Sequence, residues 1–381
     1  MTISRFSFPT TIHFGSGARD LVAAHLRSEG LSRPLIVTDR GIAKLPLHAA
    51  LSESMAAAGL AVASYSEIFG NPVTSQVTAG VEAFRAHKAD AVVGLGGGAA
   101  IDVAKAIALM IHHPGHLFDY EDDLPGARPF DQAIPHWVAI PTTSGTGSEV
   151  GRSSVVSDEA THIKKIIFSP RLLAKAVFAD PELTTGLPAD VTAATGMDAV
   201  THNVEAYLAK NYHPLCDGIA LEGLRLCARS LARAVESPSD LGARGDMLMG
   251  SMMGAIAFQK GLGITHSCAH ALGTVLDMHH GLANGIMIDF ALAHNVATAA
   301  DRFATMATTV GLSDRTPAGF LTWLRELKRK VGVPENLRAA GVDASKLTAL
   351  VDVAEKDGCH PNNPVPCSRA DFERVFREAF A

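Results

Sequence analysis

The chain has no CxxC pair, and its five cysteines, Cys216, Cys227, Cys268, Cys359 and Cys367, are an odd number. A full disulfide framework is excluded, and reduced thiols are expected. Long apolar runs are also missing. No stretch reaches the roughly 18 uninterrupted apolar residues of a membrane helix, and MTISRFSFPTTIHFGSGARD has no continuous apolar core of the signal-peptide kind. A cytoplasmic protein without a membrane partner is expected. Long runs of basic side chains are absent and the formal net charge is -6, so nucleic acid is an unsuitable partner. Neither an internal repeat nor a low-complexity tract is present.

What is present is abundant apolar residue, 47% of 381 positions, enough for more than one core. That length exceeds the size at which single cores stop growing, so two domains are expected. PLIVTD (residues 34–39) is a short apolar run ending in a polar turn, followed by an alanine-rich segment over residues 49–58. The pattern of strand then helix returns in ADAVVGLGGG with AAIDVAKAIALM, and strands recur in HWVAIPTTSGTGSE and LLAKAVFAD. Strands alternating with helices predict a parallel sheet covered on both faces. Beyond residue 186 the β-branched runs thin out and helical spacing takes over, as in ADVTAATGMDAVTHNVEAYLA. The proline-bearing turn at residues 184–188 marks the boundary, giving an α/β domain over residues 1–184 and a helical domain over 185–381.

Two glycine-rich turns follow predicted strands. GLGGGAAID (residues 94–102) closes a strand and opens a helix, so its backbone N–H groups can face a phosphate. Gly94, Gly96 and Ala99 satisfy G-x-G-x-x-A, a weak match alone. Asp39, at the end of the first apolar strand, has two readings: it accepts from a ribose diol and so favours NAD over NADP, or it caps the next segment. The hydroxyl-rich PTTSGTGSE (residues 141–149) suits a phosphate, a nicotinamide or an ordinary loop.

The 17 histidines carry more information. Asp198 and His202 stand four residues apart in a predicted helix, and so do His266 and His270, which places each pair on one helix face. Fourteen residues past His266 comes His280, in HHGLANG. One carboxylate and three imidazoles suit a divalent ion such as Fe(II) or Zn(II).

In their order, HFGSGA, GGGAAIDVAK, PTTSGTGSEV, DPELT, TGMDAVTHNVEAY, GITHSCAHALG and HHGLANG resemble the iron-containing (group III) alcohol dehydrogenase family over nearly the whole chain. The resemblance implies a Rossmann-like N-terminal domain and an all-α C-terminal domain in a dehydroquinate synthase-like architecture, with a catalytic metal in the cleft between them. It also implies NAD(H), Fe2+ or another divalent metal such as Zn2+, a homodimer, and hydride transfer between nicotinamide and a small primary alcohol or aldehyde. By the same resemblance the metal ligands fall on Asp198, His202, His266 and His280, leaving His279 to the surface or the pocket wall. His270 becomes a proton-relay candidate or a structural hydrogen-bonding residue.

The cofactor positions implied are Asp39, Gly96, Gly97, Gly98, Asp102, Thr142, Thr143, Thr146 and Lys164. Ala99 departs from the family, which usually has serine there; a hydroxyl is lost but the backbone donors stay. Arg152 after SEVG, and the tail CHPNNP, are similar to members acting on 4-hydroxybutyrate. Arg152 and Ser153 with Cys359 and His360 are therefore the expected substrate residues, the guanidinium suiting the carboxylate of an ω-hydroxy acid. A structural ion pair is the other reading of Arg152. A lyase of the dehydroquinate synthase type and a glycerol dehydrogenase-like polyol enzyme are the alternative functions. The lyase needs several basic groups around a sugar phosphate, which these motifs do not supply.

Overall fold

The computed structural model describes residues 10–122, 124–161 and 163–381. They form two compact units: one runs to Thr143 and resumes as Ser148–Thr184, and the other comprises Ser144–Gly147 and Thr185–Ala381.

The first unit holds strands β1 (Thr11–Phe14), β2 (Pro34–Asp39), β3 (Ala63–Ile68), β4 (Ala91–Gly96), β5 (His136–Pro141), β6 (Ser153–Ser157), β7 (Lys164–Phe168) and β8 (Ala176–Ala179). Its helices are α1 (Val22–Ser28), α2 (Pro46–Ala57), α3 (Thr74–His87) and α4 (Gly98–Met110). Six strands make a parallel sheet in the order β1-β8-β5-β4-β2-β3. Every residue of β4 is buried, which is why its sequence is continuously apolar rather than alternating. Ile36, Val93, Leu95, Val138, Ile140 and Phe178 form the core of this sheet.

From β2 the chain steps outward to β3, then returns to the other side of β2 as β4, so the strand order reverses between β2 and β4. In open α/β sheets ligands bind beyond the carboxyl ends of the strands at such a reversal. Among the described residues β3, with sequence ASYSEI, pairs only with β2 and is polar where it faces outward, so strand periodicity alone passes over it. β6 and β7 form a separate antiparallel hairpin, in register from Ser153 opposite Phe168 to Ser157 opposite Lys164.

The second unit is helical: α5 (Ala189–Leu208), α6 (Pro214–Glu236), α7 (Leu241–Ala257), α8 (Ile264–Leu276), α9 (His280–Ala293), α10 (Ala300–Thr309), α11 (Pro317–Lys330), α12 (Leu347–Ala354) and α13 (Arg369–Ala379). α5 packs against α6, α7 and α9 and is buried from Thr192 to Leu208. A helix enclosed this way has no solvent face, so polar groups on it must find partners inside the protein. Local signals start other helices: Asp240 caps α7 through the Ala243 N–H at 2.9 Å, and Ser368 with Asp371 forms a capping box on α13. No helix of the described residues is long and apolar enough to cross a membrane.

Candidate active site

Asp198 and His202 project from one face of buried α5, one turn apart, as their spacing requires. His266 stands in the first turn of α8, and His280 is the first residue of α9. The ligand-capable atoms of these four side chains all lie within 4.8 Å of one another. Asp198 Oδ1 is 3.5 Å from His280 Nε2 and 3.9 Å from the Nε2 atoms of both His202 and His266. Gly281 permits this approach: a Cβ there would lie 2.4 Å from the Ala194 carbonyl oxygen of α5, so a side chain would push α9, and His280 with it, away from Asp198. His279 is exposed, and its Nδ1 accepts from the Leu282 N–H at 3.4 Å, capping α9.

Neighbouring groups hold the rings with Nε2 toward Asp198. His266 Nδ1 donates to Glu205 Oε2 at 2.7 Å, and His202 Nδ1 donates to the Gly145 carbonyl at 3.3 Å. Each bond leaves the Nε2 lone pair for the cluster. Glu205 also accepts from the backbone N–H groups of Gly263 at 3.0 Å, Thr265 at 2.7 Å and His266 at 3.2 Å. One carboxylate on α5 thus caps α8 and orients its first histidine.

Burial alone would raise the Asp198 carboxyl, but the three imidazoles and the Asn284 amide outweigh it and hold it at about 2. Burial lowers His202 to about 4, against the pull of Asp198. His266 is raised, because the Glu205 hydrogen bond and charge overcome its burial. Asp198 is therefore ionised and His202 neutral near pH 7, the forms in which they donate to metals. Asn284 Nδ2 lies 2.7 Å from Asp198 Oδ1 and 3.2 Å from the Nε2 atoms of His266 and His280, while its Oδ1 is buried without a partner among the described residues. Three acceptors face two amide hydrogens beside an orphaned oxygen, a shortage of positive charge that a cation among these atoms relieves. The donor set and its surroundings fit a divalent first-row metal.

His270 lies one turn beyond His266 on α8, its ring stacked on that of His280 at 5.3 Å. Its Nδ1 donates to Asp357 Oδ2 at 2.7 Å. Sequence reasoning passed over three residues here. Asn284 carried a signal, standing one helical turn after His280; Glu205 carried a weaker one, three residues after His202. Asp357 carried none, since 87 residues separate it from its partner.

In the sheet unit, the carboxyl ends of β2 and β4 bring Asp39 beside the glycine turn. A Cβ on Gly96 would lie 3.4 Å from Asp39 Oδ2 and 2.7 Å from the Ala100 Cβ, and Gly96 itself has φ +146°. Asp39 Oδ1 accepts from the N–H groups of Gly41 and Ile42 at 2.8 and 2.9 Å, so it does cap the following turn, with Oδ2 toward Gly96. Gly97 caps α4 and Gly98 begins it, leaving helix N-terminal donors at the strand-order reversal.

Thr143 packs on Gly97, and the Thr142 N–H donates to the Gly96 carbonyl at 3.0 Å. Thr142 is itself buried, and its hydroxyl has no partner among the described residues. Asp102 turns inward: its oxygens accept from Ser148 Oγ at 2.5 Å and the Val155 N–H at 3.2 Å, tying α4 to the second glycine loop and to β6. Thr146 belongs with the helical unit. Lys164 opens β7, and the adjacent Lys165 is paired with Glu121 at 2.6 Å.

The Arg152 guanidinium lies 5.3 Å over the Phe168 ring, and Ser153 begins β6, its carbonyl accepting from buried Lys105 at 2.6 Å. Cys359 donates its N–H to Asp357 Oδ1 at 2.9 Å. His360 donates its N–H to Ser267 Oγ at 3.0 Å, with its ring edge on Phe372.

The protein combines a parallel sheet that has a glycine turn at its strand-order reversal with a helical unit that gathers one carboxylate and three imidazoles able to hold a metal ion. Residues 9–181 match the family described as iron-containing alcohol dehydrogenase, and residues 192–380 match its C-terminal family, Fe-containing alcohol dehydrogenase. The chain is 37% identical to the 4-hydroxybutyrate dehydrogenase of Cupriavidus necator, over 97% of this chain and 98% of that one. It is 34% identical to the 1,3-propanediol dehydrogenase of Citrobacter freundii, over 98% and 97%. A crystal structure of 1,3-propanediol oxidoreductase superposes with a TM-score of 0.93 at 34% identity, covering 99% of this chain and 100% of the other. Sulfoacetaldehyde reductase from Bifidobacterium kashiwanohense, solved with NAD+, superposes with a TM-score of 0.92 at 26% identity, covering 100% of both. The chain belongs to the iron-containing alcohol dehydrogenase family.

Proposed function

We propose that the enzyme transfers hydride between NAD(H) and a small primary alcohol or aldehyde whose far end is anionic, an ω-hydroxy acid such as 4-hydroxybutyrate and its semialdehyde. The observation that carries the proposal is the convergence of Asp198, His202, His266 and His280 within 4.8 Å, with Glu205 and the Gly145 carbonyl holding two rings in ligand orientation. These four residues would hold the divalent metal, Fe2+ or another such as Zn2+. When bound, the cation supplies Lewis acidity at the substrate oxygen, so alcohol and aldehyde interconvert without a covalent nucleophile.

The remaining work falls to the chain's own groups. Asp357 fixes the His270 Nδ1–H, which leaves Nε2 to take the hydroxyl proton in oxidation and return it in reduction. Gly96, Gly97, Gly98, Thr142 and Thr143 carry the nucleotide at the start of α4, and Asp39 takes the ribose diol and repels a 2′-phosphate. Thr146 and Lys164 act as further cofactor contacts, and Asp102 shapes the turn. Arg152, stacked on Phe168, holds the substrate anion, with Ser153, Cys359 and His360 as further substrate-side positions. Relatives named for 4-hydroxybutyrate and for sulfoacetaldehyde, both anionic, support this choice.

The test is NADH oxidation by Fe(II)-loaded protein with succinic semialdehyde and with butyraldehyde at matched concentrations. The semialdehyde should be preferred. Arg152→Ala should lower its kcat/KM by roughly 10- to 100-fold through KM, the worth of a charge-assisted pair, and leave butyraldehyde nearly unchanged. An equal effect on both aldehydes would remove Arg152 from substrate binding.

A further inference from the structure

A second group of metal-capable side chains lies next to the first. The donor atoms of His270, Asp357 and Cys359 are all within 4.8 Å of one another. They share one hydrogen-bonded frame: Asp357 Oδ2 accepts from His270 Nδ1 at 2.7 Å, and Asp357 Oδ1 accepts from Ser267 Oγ at 2.7 Å and from the Cys359 N–H at 2.9 Å. The side chains of His270 and Asp357 are 28% and 15% exposed, so a cation can reach them from solvent. The donor chemistry differs from that of the other cluster, which contains no sulfur.

We propose that His270, Asp357 and Cys359 form a second divalent-cation site, selective for thiophilic ions such as Zn2+ and Cd2+. A thiolate, an imidazole and a carboxylate are a zinc-type donor set, whereas harder ions gain nothing from the sulfur. Zinc bonds of about 2.0 to 2.3 Å set tetrahedral neighbours roughly 3.5 Å apart, so the site closes by side-chain shifts on the order of 1 Å.

The cation replaces the proton shared by His270 Nδ1 and Asp357 Oδ2. That proton moves to His270 Nε2, the Cys359 thiol proton leaves to solvent, and no electron is transferred. His270 Nε2 then carries hydrogen and can no longer accept the substrate proton. A cation here is accordingly an inhibitor, distinct in place and chemistry from the one held by Asp198. The inhibitory consequence rests on the relay role proposed for His270; the binding does not.

The test is a Cd2+ titration of the full chain, followed through the ultraviolet thiolate-to-cadmium charge-transfer band. Cadmium on Asp198, His202, His266 and His280 is silent in this band, so the band reports on sulfur alone. Expected is a band that saturates at about one ion per chain, is displaced by Zn2+ and is absent from Cys359→Ser. His270→Ala keeps the thiol and should weaken Cd2+ binding at least tenfold, which covers the case in which the serine variant fails to fold. No band, an equal band in Cys359→Ser, or binding untouched by His270→Ala would overturn the site. Failure of Fe(II)-loaded protein to oxidise NADH would count against the proposed reaction and leave this band unchanged.

Discussion

Glu205→Gln tests whether one buried carboxylate builds the cluster. Glu205 accepts four hydrogen bonds: Oε2 from Gly263 N, His266 N and His266 Nδ1, and Oε1 from Thr265 N. Glutamine has one acceptor oxygen, so in its better orientation the amide NH2 faces the Thr265 N–H and leaves a buried donor unpaired, at about 1–3 kcal/mol. Loss of the charge at the start of α8 adds about 0.5–2 kcal/mol. The unfolding free energy should fall by about 1.5–5 kcal/mol. The weaker hold on His266 Nδ1 should raise the Co2+ dissociation constant about 10- to 100-fold. Urea unfolding gives the first quantity and competition with a chromophoric chelator gives the second. Unchanged metal affinity in a folded variant would refute the role of Glu205 in orienting His266, and an unchanged unfolding free energy would refute its role as the cap of α8.

Glu149 is buried, its Oε1 has no partner among the described residues, and burial raises its carboxyl from 4.5 to about 7. Because the folded value is the higher one, the neutral form stabilises the fold below pH 4.5, and that contribution is lost as pH rises through about 7. Glu149→Gln should flatten urea-unfolding stability across this window and gain up to about 3 kcal/mol above it; an unaltered pH profile would contradict the burial argument. Gly96→Ala introduces a Cβ 2.7 Å from that of Ala100 at φ +146°. It should cost about 2 kcal/mol and weaken NADH binding in a fluorescence titration at least tenfold; unchanged binding would move the nucleotide away from this turn. Asp39→Asn keeps the acceptor for Gly41 and Ile42 but loses the charge, so the NADPH to NADH ratio of kcat/KM should rise about tenfold, and no rise would return Asp39 to capping alone.

Much of the fold is legible in the sequence itself. β4 and α4 follow from a continuous apolar run, three glycines and a helical pattern, and the spacing of Asp198 with His202 places both on one face of α5. Such signals survive because hydrogen-bond geometry and side-chain direction repeat over a few residues. β3 escaped because an edge strand does not need two apolar faces. Asp102 illustrates the other limit: its position in the glycine motif points to the cofactor, whereas its oxygens meet Ser148 and Val155, 46 and 53 residues on.

The sequence by itself determined the alternation of strands and helices, the glycine turn and the residue types able to hold a metal, because each is encoded in a few neighbouring positions. Tertiary structure alone decided that Glu205 caps α8 while orienting His266, that Asp357 meets His270, and that Asp39 and Gly96 sit together where the strand order reverses. Those pairings join groups tens of residues apart, and no local propensity specifies them. They arise when burying the apolar faces of whole helices and strands forces the polar groups they carry to satisfy one another.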